Sequence, residues 1–231
     1  MNNKDASQEE IVGELLEFLN VSPDANQRFL KVKEVFQVQF HLPEIDFVRN
    51  EIGKSYAIAA YHGMITLTNL LLERYCKLTL IYKFTGFRSI QDLKNLAEDF
   101  KPAMKRYNKM SLGETLQECL NEGIIDEATY VFFLDMKNRF RDGFGHADAA
   151  KILKGQTGRF ALGSFNDLSV SEVQTLTFQN IPPLHGIAVQ QFASENAWGY
   201  FVSVENLIRS TLKHYINDHF EVDIEMVNVL T

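Results

Sequence analysis

Arg141 and Asp142, followed by His146, are the residues whose types and spacing best suit chemistry on a phosphate. Arginine carries a permanent planar cation whose fork of N–H donors matches phosphate oxygens. Histidine changes protonation near neutral pH and can give or take a proton. The Asp142 carboxylate can hold either one by a hydrogen bond. Lys101, Lys105, Arg106 and Lys109, with Lys137 and Arg139, offer a local basic surface for RNA. Tyr107, within that run, offers a ring on which a base can stack. The same residues also have a structural reading. Arg141, Asp142 and His146 then close a helix C-terminus, where cations and a following glycine are common, and the run over 101–109 is a solvated helix face. Spacing alone decides little, because Arg209 and His214 share it by accident, with Ser210 in place of the acid. His62 lies in an apolar stretch and reads as a core histidine. His214 and His219 are five apart, which does not suit two metal ligands on one helix. The glycines form no dinucleotide or phosphate loop, no G-x-S-x-G elbow is present, and neither a metal nor another cofactor is expected.

Helices must position these groups. Ser7 and Glu10 resemble a capping box opening a helix to about Leu19, with Ile11, Val12, Leu15, Leu16 and Leu19 on one stripe. Ser22-Pro23-Asp24 starts a second helix that His41-Leu42-Pro43 ends. A long helical segment is expected from Ile45 to Phe84, bent near Gly53 and apolar round most of its second half. Thr85-Gly86 stops it, and Ser89 to Asn108 forms another helix, interrupted by Pro102. Leu112, Leu116 and Leu120 share a face, Gly123 ends their helix, and Asp126 caps the next, which runs to about Asp142 with Tyr130, Phe133, Leu134 and Lys137 turned inward. RFALGSF and VQTLTF are candidate short strands. An amphipathic helix is expected from Glu195 to Asn217, and the tail FEVDIEMV alternates like a half-buried strand.

The 231 residues are 45% hydrophobic and 23% charged, an ordinary globular composition that excludes collagen-like, low-complexity and wholly disordered classes. Thirty acidic against 23 basic residues give a net charge of −7, which excludes a bulk phosphate binder. Two cysteines, Cys76 and Cys119, cannot build a disulfide framework, and the first twelve residues carry no apolar leader. The stretch Tyr56 to Leu72 holds His62, Gly63, Thr66, Thr68 and Asn69 and reads as a buried helix, not a membrane span. A cytoplasmic protein that avoids membranes is expected.

The run KNRFRDGFGHAD resembles the Arg/His signature of the HEPN superfamily, in which a polar residue follows the arginine. LLLERYCKLTLIYKFTG is similar to the first long helix of such domains. SLGETLQECLNEGIIDEATYVFFLDMKNRFRDGFGH is similar to the pair of helices that follows. The resemblance covers about residues 45–216 and is sharpest over 111–148. It implies a mainly α, up-and-down helical bundle over 43–218, preceded by a helical hairpin or extension over 1–42 and followed by a strand-like tail over 219–231, with minor β in the C-terminal part. It further implies a metal-independent endoribonuclease of toxin or defence type, acting as a homodimer whose two Arg/His pairs face one phosphate. The RNA 2′-hydroxyl attacks that phosphate and leaves a cyclic end. His146 is then the acid and base, and Arg141 stabilises the charge gathering on phosphorus. Two departures stand out: Asp142 replaces the commoner Asn, and Asp148 stands where members paired with nucleotidyltransferase antitoxins carry Tyr. The same run is also similar to mannitol-repressor-type helical regulators, which implies a non-catalytic module with a regulatory protein partner. A plain assembly subunit is the third reading.

Overall fold

The computed structural model describes residues 24–40, 42–86, 96–144, 148–155, 157–160, 174–177 and 181–216. The expected first helix over 7–19 and the tail FEVDIEMV lie outside the described residues. Within them the chain is mainly helical. The helices are α1 (Ala25–Val35), α2 (Pro43–Ala57), α3 (Tyr61–Thr85), α4 (Leu96–Tyr107), α5 (Leu112–Asn121), α6 (Glu127–Met136), α7 (Ala149–Leu153) and α8 (Pro182–Ile216). A π-helical segment, Lys137–Gly143, continues α6. Strands β1 (Thr157–Phe160) and β2 (Gln174–Thr177) pair antiparallel; β2 falls within VQTLTF, whereas β1 starts two residues before RFALGSF and shares only Arg159 and Phe160 with it. Among the described residues no helix is long and apolar enough to cross a membrane.

α3 is the centre of the bundle, touching α2, α4, α5, α8 and the π segment. Its buried residues include Met64, Ile65, Leu71, Leu72, Tyr75, Cys76 and Leu80, which cover about half of its circumference, while Thr66, Leu70 and Arg74 on the other side are exposed. The polar members of that set are satisfied locally. Thr68 and Thr79 return their hydroxyls to the Met64 and Tyr75 carbonyls, and the Tyr200 hydroxyl donates to Asn69 Oδ1 at 2.8 Å. Gly86, at φ +77°, ends α3 in the left-handed conformation that a residue without Cβ adopts cheaply.

Two expected positions need correction. The chain does not bend at Gly53, which α2 passes unbroken; the break falls at Ile58–Ala60, where Ala59 takes φ +60°. Gly53 serves packing instead. A Cβ there would meet Phe36 Cζ at 3.0 Å and Val32 Cγ1 at 3.1 Å, so the missing side chain lets α1 approach α2. The last helix also starts at Pro182, well before Glu195. Proline is preorganised for a first helical turn. Among the residues ahead of Glu195 whose burial is described, a narrow stripe, Ala188, Phe192 and Ala193, is buried, which fits the weak amphipathic signal there.

An ion cluster lies inside the bundle. Arg49, Glu205 and Arg209 are 1%, 0% and 3% exposed. Arg49 donates from Nε and Nη2 to the two Glu205 oxygens at 2.9 and 2.7 Å, and Arg209 Nη2 donates to Glu205 Oε1 at 2.8 Å. Asp46 accepts from Arg49 Nη1 at 2.8 Å and balances the second positive charge. Arg209 is therefore a structural residue, which removes the accidental Arg209/His214 match. Deleting one member strands a buried charge. Glu205→Gln is expected to lower unfolding free energy by about 3–5 kcal/mol, read from urea denaturation.

Candidate functional site

The π segment, KNRFRDG, carries most of the expected site. Its wider turn sends successive side chains to different walls. Phe140 points inward and stacks on Tyr200, with ring centroids 4.6 Å apart. Arg139 lays its guanidinium over Phe192 at 4.8 Å. Lys137, Arg141 and Asp142 turn towards α3 and α5. Single π-helical turns are costly and are often found at functional sites.

Arg141 Nη2 lies 3.1 Å from Glu73 Oε2 on α3. The other oxygen of Glu73 accepts from Lys77 Nζ at 2.7 Å, and Lys77 also donates to the Asn108 carbonyl at 3.3 Å. Asp142 Oδ2 accepts from Lys137 Nζ at 2.6 Å. Arg141, Asp142 and Lys137 are thus brought together with Glu73 and Lys77, two residues to which the sequence reading gave no role. Their signal was present: a Glu and a Lys four apart interrupt an otherwise apolar helix. His146 lies outside the described residues. The residues flanking that stretch are held together, since Asp148 N donates to the Gly143 carbonyl at 2.8 Å. Asp148 then caps α7, accepting from the Ala150 and Lys151 amides at 3.1 and 3.3 Å. This gives a structural use to the residue that replaces Tyr.

The six residues proposed for RNA do not form one surface. Lys101, Lys105 and Lys109 are exposed on or just beyond α4, with Lys101 3.6 Å from Glu98. Arg106 is engaged by Glu118 at 2.5 Å. The Lys77–Asn108 hydrogen bond brings only the C-terminal end of this run beside Glu73 and Arg141. Arg139 faces away, towards α8, because Phe192 offers it an aromatic face. Tyr107 is buried, with the Arg106 guanidinium over its ring at 5.1 Å and Phe84 set steeply against it, so it has no face free for a base. His62 corrects the other way: it is exposed, not a core residue, and meets Phe144 at 5.0 Å between ring centroids. It rims an open cleft of about 670 Å³ between the start of α3 and the start of α8, with Tyr61, Gln190, Gln191 and Ser194.

Other reactive groups are quiet. Cys76 and Cys119 are buried, and the Cys119 thiol is held protonated by its hydrogen bond with Cys76 and by burial. Burial likewise pushes the Tyr75 and Tyr200 hydroxyls up, away from ionisation. Among the described residues no three His, Cys, Asp or Glu side chains gather to hold a metal ion.

Gly143 is the tightest point. A Cβ there would lie 2.7 Å from Ile152 Cγ1 of α7. Gly143→Ala is expected to cost about 1–3 kcal/mol in thermal or urea unfolding. Gly113→Ala, whose Cβ would make ordinary contacts with Lys137 Cε and Cδ at 3.6 and 3.9 Å, is expected to leave stability unchanged or raised. No protein-family model, curated protein or solved structure matches the chain.

Proposed function

We propose that this chain is a metal-independent endoribonuclease of HEPN type, in which Arg141 meets an RNA phosphate and His146 moves the proton. The observation that carries the reading is the state of Arg141. Its side chain is 37% exposed at the end of a helix, and its one ion pair among the described residues, with Glu73, engages a single Nη. The remaining N–H donors are available to phosphate oxygens. Lys77 and Lys137, on either side, add cations that suit a polyanion. Attack by the 2′-hydroxyl on the adjacent phosphate needs a group to take its proton and a cation to stabilise the negative charge gathering on the equatorial oxygens. Histidine and arginine supply these without a metal.

A homodimer goes with this reading. α6 leads directly into the π segment and exposes Val131 and Phe132, while Phe133 is its one buried residue. Outward apolar side chains one helical stretch from Arg141 suit a second copy, whose own Arg/His pair would then face the same phosphate.

The second reading is a non-catalytic helical regulator. The adjacent exposed pair Phe29 and Leu30 on α1, with Phe47 on α2, favours it by suiting a protein partner.

Purified protein incubated with mixed cellular RNA in EDTA distinguishes the two. Cleavage leaving 2′,3′-cyclic phosphate ends is expected, reduced at least about 100-fold in Arg141→Ala and in His146→Ala. RNA left intact by the native protein, or cut equally by Arg141→Ala, overturns the ribonuclease and leaves the regulator.

A further inference from the structure

Arg141 is held by a carboxylate that competes for the same donors as a phosphate. Glu73 sits two turns before the end of the apolar core of α3, with its side chain 21% exposed, and bridges Arg141 and Lys77 at 3.1 and 2.7 Å. Lys77 is fixed in turn by the Asn108 carbonyl, so the bridge is anchored at its inner end. Asp142 neutralises Lys137 in the same way. The three cations Arg141, Lys77 and Lys137 thus stand beside three carboxylates, Glu73, Asp142 and, near Lys77, Glu114. The two pairs are unlike in one respect. Lys137 is 19% exposed, whereas Arg141, at 37%, is the more open cation and the one with an outward edge.

We propose that Glu73 is an internal counter-ion that occupies Arg141 in the free protein and is displaced when an anionic ligand arrives. Glu73 then sets how tightly this site binds RNA. The inference rests on the reading of Arg141 as a phosphate-binding group and adds the residue that regulates it. Carboxylate and phosphate compete for one guanidinium. A phosphate that takes both Nη groups must draw the guanidinium from Glu73, and one that meets only the outer N–H groups still lies close to that carboxylate; both effects weaken binding. Partly exposed ion pairs are weak enough for a charged ligand to replace them. A core salt bridge such as Arg49–Glu205 is not replaceable, because no ligand reaches it.

The test uses full-length protein and a short fluorescent RNA with 2′-O-methyl riboses, which binds without being cut. Glu73→Gln keeps the shape and the hydrogen-bonding reach of the side chain and removes its charge. It is expected to bind this RNA about three- to tenfold more tightly than native protein at about 0.1 M salt. The gain is expected to vanish when Arg141→Ala is added. A merely structural Glu73 predicts equal or weaker binding. Binding unchanged or weakened in Glu73→Gln, or a gain that survives Arg141→Ala, overturns the inference, as does failure of every variant to bind. Far-UV circular dichroism checks the fold; if Glu73→Gln does not fold, Glu73→Asp, which draws the carboxylate back by one methylene, is expected to give a smaller gain in the same direction. Cleavage of unmodified RNA is read in parallel. Tighter binding with no cleavage by any variant overturns the ribonuclease and supports the counter-ion. Cleavage with no gain in binding does the reverse.

Discussion

Two arginines and a glutamate with almost no water around them join the second helix to the last. Glu205 on α8 receives Arg49 from α2 and Arg209 from its own helix, and Arg49 extends on to Asp46. The same two arginines reach the end of α1, where the Val35 carbonyl accepts from both and the Val38 carbonyl accepts from Arg49. Orphan carbonyls at a helix end and orphan charges in a core thus satisfy one another. Phe40 lies 4.1 Å from the Arg49 guanidinium carbon and covers it. Such a cluster contributes little if it is merely present, yet each member is costly to lose alone, because the desolvation has already been imposed on the others. It fixes where α8 lies.

From α8 the placement passes to the candidate site. Tyr200 is little more than one turn before Glu205 and carries the ring on which Phe140 stacks. Phe192, two turns earlier, takes Phe140 on one side and the Arg139 guanidinium on the other. The π segment is thereby clamped from within. Lys137, Arg141 and Asp142 have the opposite wall left to them, where Arg141 meets Glu73, itself paired with Lys77, on α3. A wide turn with a satisfied aromatic inner face is how a strained helical stretch persists.

The electrostatics of that wall follow from the chain as a whole. With a net charge of −7, attraction for a polyanion cannot come from the overall field and must come from a few cations at short range. Those cations stand against carboxylates: Arg141 and Lys77 share Glu73, Lys137 pairs with Asp142 and Arg106 with Glu118. On the reading of Arg141 as a phosphate-binding group, such pairing would limit indiscriminate binding of anions. It would also make the outcome of any encounter depend on which pair a ligand can open.

Much of the architecture was legible in residue order because it is local. Ser111 and Glu114 form a reciprocal cap, Asp126 accepts from the Thr129 amide, Gly123 takes φ +66°, and Leu112 and Leu116 are buried on one face. Caps, turns and helical faces are decided within four residues, so the mainly α bundle and the position of Arg141 at a helix end follow from sequence alone. The partners of Arg141 did not follow. Glu73 is 68 positions away, and nothing in either stretch says that their faces meet. Tyr107 was misjudged for the same reason: a ring among lysines looks exposed until α3 packs over it. Gly53 and Gly143 were legible as glycines but not as contact points, since the atoms they make room for belong to other helices. Short-range hydrogen bonding and periodicity are written along the chain. Which charge faces which depends on how the helices pack, and only the tertiary structure decides it.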